Sequence, residues 1–283
     1  MKKRAFALLL VLVVGSFLFS ANSNTVSVSI KPLELIVKQI VGDSVKVNLI
    51  VPPGSSPHTF QLTIREAVKL NKSDALIVVG AGLELWLSKT EKSFSRRKRL
   101  FKFSDYFTNF IGKNRRKNPH LWLSLKRVID IIPELSDFLK RVYPEKGEIF
   151  EKNTGVLLTN LRKLDEELEN RFKTVKIKKV VMYHPVWAYF LQDYKIHNID
   201  TIEKKPGESP SPKKVVEIIN KIKKEKVKVI IGEPNVSEKW VRMIANSSGA
   251  KVLILDPLGF SRKIKTYADL ISYNANLLIN YLK

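Results

Sequence analysis

With no cysteine among its 283 residues, this chain can hold a borderline metal ion only through its four histidines and its carboxylates. That absence excludes a disulfide scaffold, Cys-ligated zinc, iron–sulfur clusters and a thiol nucleophile. Three histidines stand in comparable contexts. His58 follows a strand-like run and a Pro/Gly/Ser turn (PPGSSPH), and His120 lies in Asn118-Pro119-His120-Leu121-Trp122. His184 comes directly after the apolar run 179–183 and precedes Pro185. Asp256 likewise follows the run 251–255 and precedes a proline. In an open parallel α/β sheet, ligands bind outside the carboxyl ends of the strands, and His58, His184 and Asp256 fall just past such ends. The spacings of 62, 64 and 72 residues place two candidates in each half of the chain. Two facing lobes could therefore each present two donors to a shared cleft. Three imidazoles and one carboxylate suit zinc, with bonds of about 2.0–2.2 Å. Spacing alone leaves the plainer alternatives open: ordinary loop histidines and an Asp-Pro turn. Glu233 follows the run 227–231 at the same sheet edge. We read it as fixing a ligand imidazole or a lobe-closing contact, the alternative being a solvated strand-end glutamate.

The elements that must position these residues alternate between short apolar runs and helical patterns, the signature of an α/β chain with parallel sheets. Strands are expected at 25–30, 45–51 and 75–79 in the first half, and at 179–183, 227–231 and 251–255 in the second. Helices are expected at 32–41, 64–70, 128–142, 215–223, 238–248 and 261–282. From 145 to 173 the pattern is helical throughout, with Leu157, Leu161, Leu164, Leu168 and Phe172 forming one apolar stripe on a charged helix. Its length is about twice the ~11–12 residues of an average helix, and it falls between the two halves. The expectation is two lobes, each a parallel sheet flanked by helices, joined by a long linker helix. The corresponding boundaries are 1–23 for a leader, 24–143 for the first lobe, 144–175 for the linker and 176–283 for the second lobe. The segments 52–57 and 203–214 are Pro/Gly/Ser turn chemistry. The stretch 92–117 holds ten basic residues and one acid, Asp105; it reads as a mobile, solvated excursion of the first lobe.

A formal charge of +23 would ordinarily point to nucleic acid. The N-terminus argues otherwise. Lys2, Lys3 and Arg4 precede the unbroken apolar run 5–19, and small polar residues follow. This is the layout of a cleaved secretory signal, since the run is shorter than the ~20 residues of a spanning helix. Export makes anionic lipid, wall polymer or an acidic protein the more natural counterpart of the charge, which is +20 once Lys2, Lys3 and Arg4 are removed. A solvated basic surface with no specific partner is the alternative.

The segments SSPHTFQLTIREAVKLNKSDALIVVGAGLELWL, NPHLWLSL, VVMYHPVWAYFLQDY, the Glu208-Ser209-Pro210 turn, IIGEPNVSEKW and ILDPLG occur in that order. Together they resemble the metal-binding substrate-binding proteins of zinc/manganese ABC importers over essentially the whole mature chain. The resemblance implies that His58, His120, His184 and Asp256 bind the ion. His197 matches no ligand position. It also implies a monomeric extracytoplasmic carrier that delivers a divalent cation to a membrane permease, with no nucleic-acid partner and no enzymatic step. Nothing in the sequence resembles HExxH, a carboxylate dyad or a nucleophile elbow. Two departures stand out. The His- and Asp-rich loop of zinc-dedicated members is replaced by the basic stretch 92–117, and Asn118 stands where the family often has Asp. Manganese-type members usually carry a carboxylate where this chain has His184, and three imidazoles favour Zn2+ over Mn2+. Manganese stays open as the alternative cargo. A surface adhesin or polyanion binder using the basic stretch is the alternative of a different class.

Overall fold

A computed structural model describes residues 24–97, 99–112, 117–203, 207–234 and 238–283; the expected leader at 1–23 lies outside the described residues. Two four-stranded parallel sheets organise the chain. The first contains β1 (Thr25–Val28), β2 (Lys46–Leu49), β3 (Ala75–Val78) and β4 (Leu100–Lys102), in the order β2-β1-β3-β4. The second contains β5 (Lys179–Met182), β6 (His197–Thr201), β7 (Val229–Gly232) and β8 (Lys251–Ile254), in the order β6-β5-β7-β8. The central strands are buried almost throughout because helices cover both faces of a parallel sheet. Val26, Val28, Ala75–Val78 and Val229–Ile231 are accordingly buried. In each lobe the strand order reverses beside the first strand, which places a crevice outside the carboxyl ends of β1 and β3, and of β5 and β7.

The helices are α1 (Lys31–Val41), α2 (Ile64–Asn71), α3 (Glu91–Arg96), α4 (Leu125–Val142), α5 (Gly147–Lys173), α6 (Ala188–Asp193), α7 (Pro212–Glu225), α8 (Glu238–Ser248) and α9 (Tyr267–Leu282). Helix α5 has 27 residues and is therefore about 40 Å long at ~1.5 Å per residue. It packs on α1 and α4 of the first lobe and on α9 of the second. Its stripe is buried at Leu157, Leu161, Leu168 and Phe172, with Leu164 packed at the margin. Helix α9 opens with a reciprocal cap between Thr266 and Asp269 and returns to the first lobe, where the Tyr267 N–H donates to Gln39 Oε1 at 3.2 Å. One hydrophobic cluster consequently runs from Val26 to Leu282 through both lobes. The two sheets are topologically separate but share a core.

Three expectations need correction. The stretch 92–117 is not an excursion across its described residues: it supplies α3 and strand β4, and Phe94, Phe101, Phe103 and Phe107 are buried. Those buried aromatic side chains anchor the described part of the stretch to the first lobe. Strand β6 went unforeseen because HNIDT has no apolar alternation. The last helix begins at Tyr267, not at 261, since residues 256–265 form the loop that holds Asp256.

Candidate metal centre

Prolines flank the predicted ligands and restrict their backbones. His184 is extended (φ −117°, ψ 145°), as a residue before proline must be. It leaves β5 into a 3-10 turn, Pro185–Trp187. His120 follows Pro119 and starts the turn Leu121–Leu123, which leads into α4. His58 follows Pro57 in the loop between β2 and α2. These three histidines converge: one ring nitrogen from each lies within 4.8 Å of the others. His120 Nε2 is 3.0 Å from His58 Nε2 and 3.2 Å from His184 Nε2. A tetrahedral ion with bonds of about 2.0–2.1 Å holds its ligand nitrogens about 3.3 Å apart, so this spacing is already within a few tenths of an ångström of a coordination shell.

Neighbouring groups set the tautomers. Asn118 Nδ2 donates to Pro185 O at 2.7 Å, which orients the amide so that Oδ1 faces His120. Oδ1 lies 2.7 Å from His120 Nδ1 and also accepts the His120 backbone N–H at 2.9 Å. The proton of His120 therefore sits on Nδ1, and Nε2 presents a lone pair. Glu203 Oε2 lies 2.7 Å from His184 Nδ1, at ion-pair distance though off the axis of a ring N–H, and favours the same tautomer. Burial, reinforced by His184, lowers His58 to about 4, and burial takes His120 well below its usual value. Both rings are neutral donors at pH 7.

Asp256 is buried on the wall of the same cavity but outside the three-histidine cluster. Its Oδ1 accepts the backbone N–H groups of Leu258 (3.2 Å) and Gly259 (2.8 Å), and its Oδ2 accepts that of Ser261 (2.8 Å). Asn274 clamps the Asp256 backbone from α9, donating to its carbonyl at 2.9 Å and accepting its N–H at 2.7 Å. Glu233 lines the cavity too, and its buried Oε1 has no hydrogen-bond partner among the described residues. Burial pushes its carboxyl up to about 7, against the opposing pull of His184. His197 is exposed at the start of β6, away from the cavity.

Glu203, which follows β6, was not among the predicted residues. The signal for it was the strand it terminates, and that strand was missed. With Glu203 included, each strand of the second sheet ends in a cavity residue: β5 in His184, β6 in Glu203, β7 in Glu233 and β8 in Asp256. The cavity is about 370 Å³. Hydrogen bonds stitch the seam around it. Trp122 Nε1 donates to Pro257 O at 2.8 Å, Tyr267 OH to Trp122 O at 2.7 Å, and Tyr189 OH to Asn118 O at 2.8 Å.

Residues 26–281 match the model of the zinc-uptake complex component A family, periplasmic. A Thermotoga maritima protein named "putative metal-binding protein" is 32% identical over 282 residues, covering 98% of both chains. The zinc-binding protein AdcA of Streptococcus pyogenes is 26% identical over 257 residues, which is 82% of this chain and 50% of that protein. The chain thus spans about half the length of the streptococcal relatives it matches. A zinc-bound crystal structure of a ZnuA deletion mutant superposes with a TM-score of 0.81 at 26% identity, covering 92% of this chain and 98% of the other.

Proposed function

The chain belongs to the family of the periplasmic zinc-uptake complex component A, and on that premise we propose that it captures Zn2+ between its lobes and delivers it to an ABC permease. The family is one of transport components, not enzymes. One observation carries the reading: three imidazole Nε2 atoms from both lobes meet at 3.0 and 3.2 Å, and for two of them a neighbouring group favours the lone-pair tautomer. Three neutral nitrogens select a borderline ion, and the Irving–Williams order favours zinc over manganese there. Asp256 is assigned as the fourth donor. Its backbone bonds hold an anionic carboxylate on the cavity wall, where it would offset the ion's charge. Glu233 is assigned as a group that steadies the loaded site from the cavity wall, by fixing a ligand imidazole or a lobe-closing contact. The mature protein would begin near residue 24 after loss of the leader, with lobes at 24–143 and 176–283.

The direct test is metal analysis of protein purified without chelator, repeated on His184→Ala. One equivalent of zinc, lost on substitution, is the expected result. Equilibrium dialysis with both ions tests the preference; tight manganese with micromolar or weaker zinc would reverse it. Unchanged zinc affinity and off-rate in Glu233→Gln would remove that residue from the scheme, and unchanged affinity in Asp256→Asn would remove the fourth donor.

A further inference from the structure

The second sheet carries its site chemistry at one end and a row of basic strand starts, three lysines and one histidine, at the other. All four strands run parallel, so their first residues share one edge. Those residues are Lys179 on β5, His197 on β6, Lys228 immediately before β7, and Lys251 on β8. Backbone bonds fix the adjacency: His197 N–H donates to Lys178 O at 2.7 Å, and Lys251 N–H to Lys228 O at 2.8 Å. At about 4.8 Å between strands, the row spans about 15 Å. Lys176 and Lys226 extend it from the segments entering β5 and β7, and both are exposed, as are Lys179, Lys228 and Lys251. Glu225 ion-pairs with Lys179 at 2.8 Å. The first sheet treats its corresponding edge differently. Asp74 precedes β3, accepts the Thr25 N–H at 3.0 Å and lies 3.8 Å from Arg99, which precedes β4.

We infer that the amino-terminal strand edge of the second lobe is a docking face for the anionic phospholipid headgroups of the membrane beside which the carrier works. The residue types favour this partner. Protein interfaces are anchored by buried Trp, Tyr and Arg at their centre, and this row offers only lysines and one exposed histidine. Lysine ammoniums are compact, flexible point charges suited to a laterally mobile array of phosphates, whereas arginine forks suit fixed bidentate partners. Juxtamembrane lysines act additively on such surfaces, within about one Debye length of the headgroups. Because the row lies at the opposite end of the strands from His184, Glu203, Glu233 and Asp256, docking leaves the metal cavity uncovered.

The experiment is sedimentation of the full chain with vesicles of phosphatidylcholine alone or with about one third phosphatidylglycerol, at low and high salt. The triple variant Lys176→Gln, Lys228→Gln, Lys251→Gln is compared with a charge-matched variant, Lys46→Gln, Lys152→Gln, Lys163→Gln, of residues exposed elsewhere. All three chains share the apolar N-terminal run, so its own insertion cancels. The expected result is salt-sensitive binding to anionic vesicles that falls at least about tenfold in the first variant and by less than half that in the second, with zinc stoichiometry intact in both. Equal loss in both variants would reduce the effect to net charge and overturn the assignment. So would no loss in either, or binding to a soluble acidic polymer such as polyglutamate in preference to vesicles. Loss of zinc binding in the wild-type chain would count against the carrier reading and leave this one standing.

Discussion

Glu84 and Glu233 occupy corresponding places in the two lobes, each in the loop after the third strand of a β-α sheet of the same topology, yet their surroundings are opposite. Glu84 is buried and closes its own loop: Oε1 accepts the Val79 N–H and Oε2 the Gly80 N–H, both at 2.9 Å. Gly80 permits that turn with φ +79°, and a Cβ there would collide with Ser104 Oγ. Glu233 has a buried oxygen with no partner among the described residues and faces the cavity. Burial raises both carboxyls, so burial alone does not distinguish them. What differs is how the backbone is used. The first lobe spends its third-strand carboxylate on folding and brings His58 and His120 in on longer loops. The second ends every strand directly at the cavity. Identical topology thus leaves one crevice sealed and the other available for chemistry.

The comparison breaks first at His120, which the first lobe places at the centre of the three-histidine cluster. His120→Ala removes the nitrogen shared by both short Nε2 contacts. Metal affinity should fall by more than about 100-fold, beyond the ~10–100-fold typical of outer partners. Isothermal titration with zinc measures this, and a loss under tenfold would place the ion elsewhere. Next comes Glu84→Ala, which leaves two buried N–H groups without an acceptor. At ~1–3 kcal/mol for each unsatisfied donor, stability should drop by about 2–6 kcal/mol in urea titration while zinc stoichiometry is unchanged. A matched loss of metal would show that the sealed loop is part of the site.

Acid and base should pull the metal-free protein in opposite directions. His58 titrates near 4 when folded against about 6.5 unfolded, so its contribution is present above 6.5 and lost as pH falls toward 4. His120, also lowered by burial, adds to that loss. Glu233 titrates near 7 against 4.5, so its contribution is present below 4.5 and lost as pH rises through 7. Each of these two displacements corresponds to about 3–4 kcal/mol. Melting curves between pH 4 and 8 should therefore show Glu233→Gln losing more stability on acidification than wild type, and His58→Gln losing less. Superimposable pH profiles would mean that neither group is perturbed in the folded chain.

The sequence exposed the centre of this design better than its margins. His58, His120 and His184 were legible because strand ends, turns and prolines mark them, and the structure brings all three together. Asp256 was legible for the same reason and lines the cavity, although its oxygens hold backbone N–H groups. Strands β4 and β6 were hidden because one is only three residues long and the other mostly polar, unlike the equally outer β2 and β8, which carry apolar residues in their runs. LFK buries only Phe101, and the residues of HNIDT are intermediate or exposed. Missing β6 concealed Glu203, whose importance rests on a position that only the strand defines. The seam between the lobes was equally invisible, since hydrogen bonds across 67–145 residues leave no local periodicity.

That seam yields the smallest effect and the finest test of how the lobes divide their work. Tyr189 sits on α6 of the second lobe, and its hydroxyl donates to Asn118 O at 2.8 Å while accepting the Ile111 N–H at 3.1 Å. Tyr189→Phe keeps the ring, which packs edge-on against Phe107 at 5.0 Å, and removes only these two bonds. At ~0.5–1.5 kcal/mol net for a typical hydrogen bond, stability should fall by about 1–2 kcal/mol. The informative quantity is kinetic. Asn118 still reaches Pro185 O and His120 Nδ1 through its side chain, so the donor geometry survives, but the loop carrying His120 loses one of its ties to the other lobe. Zinc release measured by chelator competition should quicken by several-fold with little change in association. An unchanged off-rate would mean that the shared hydrophobic core, not the polar seam, holds the two halves of the site together.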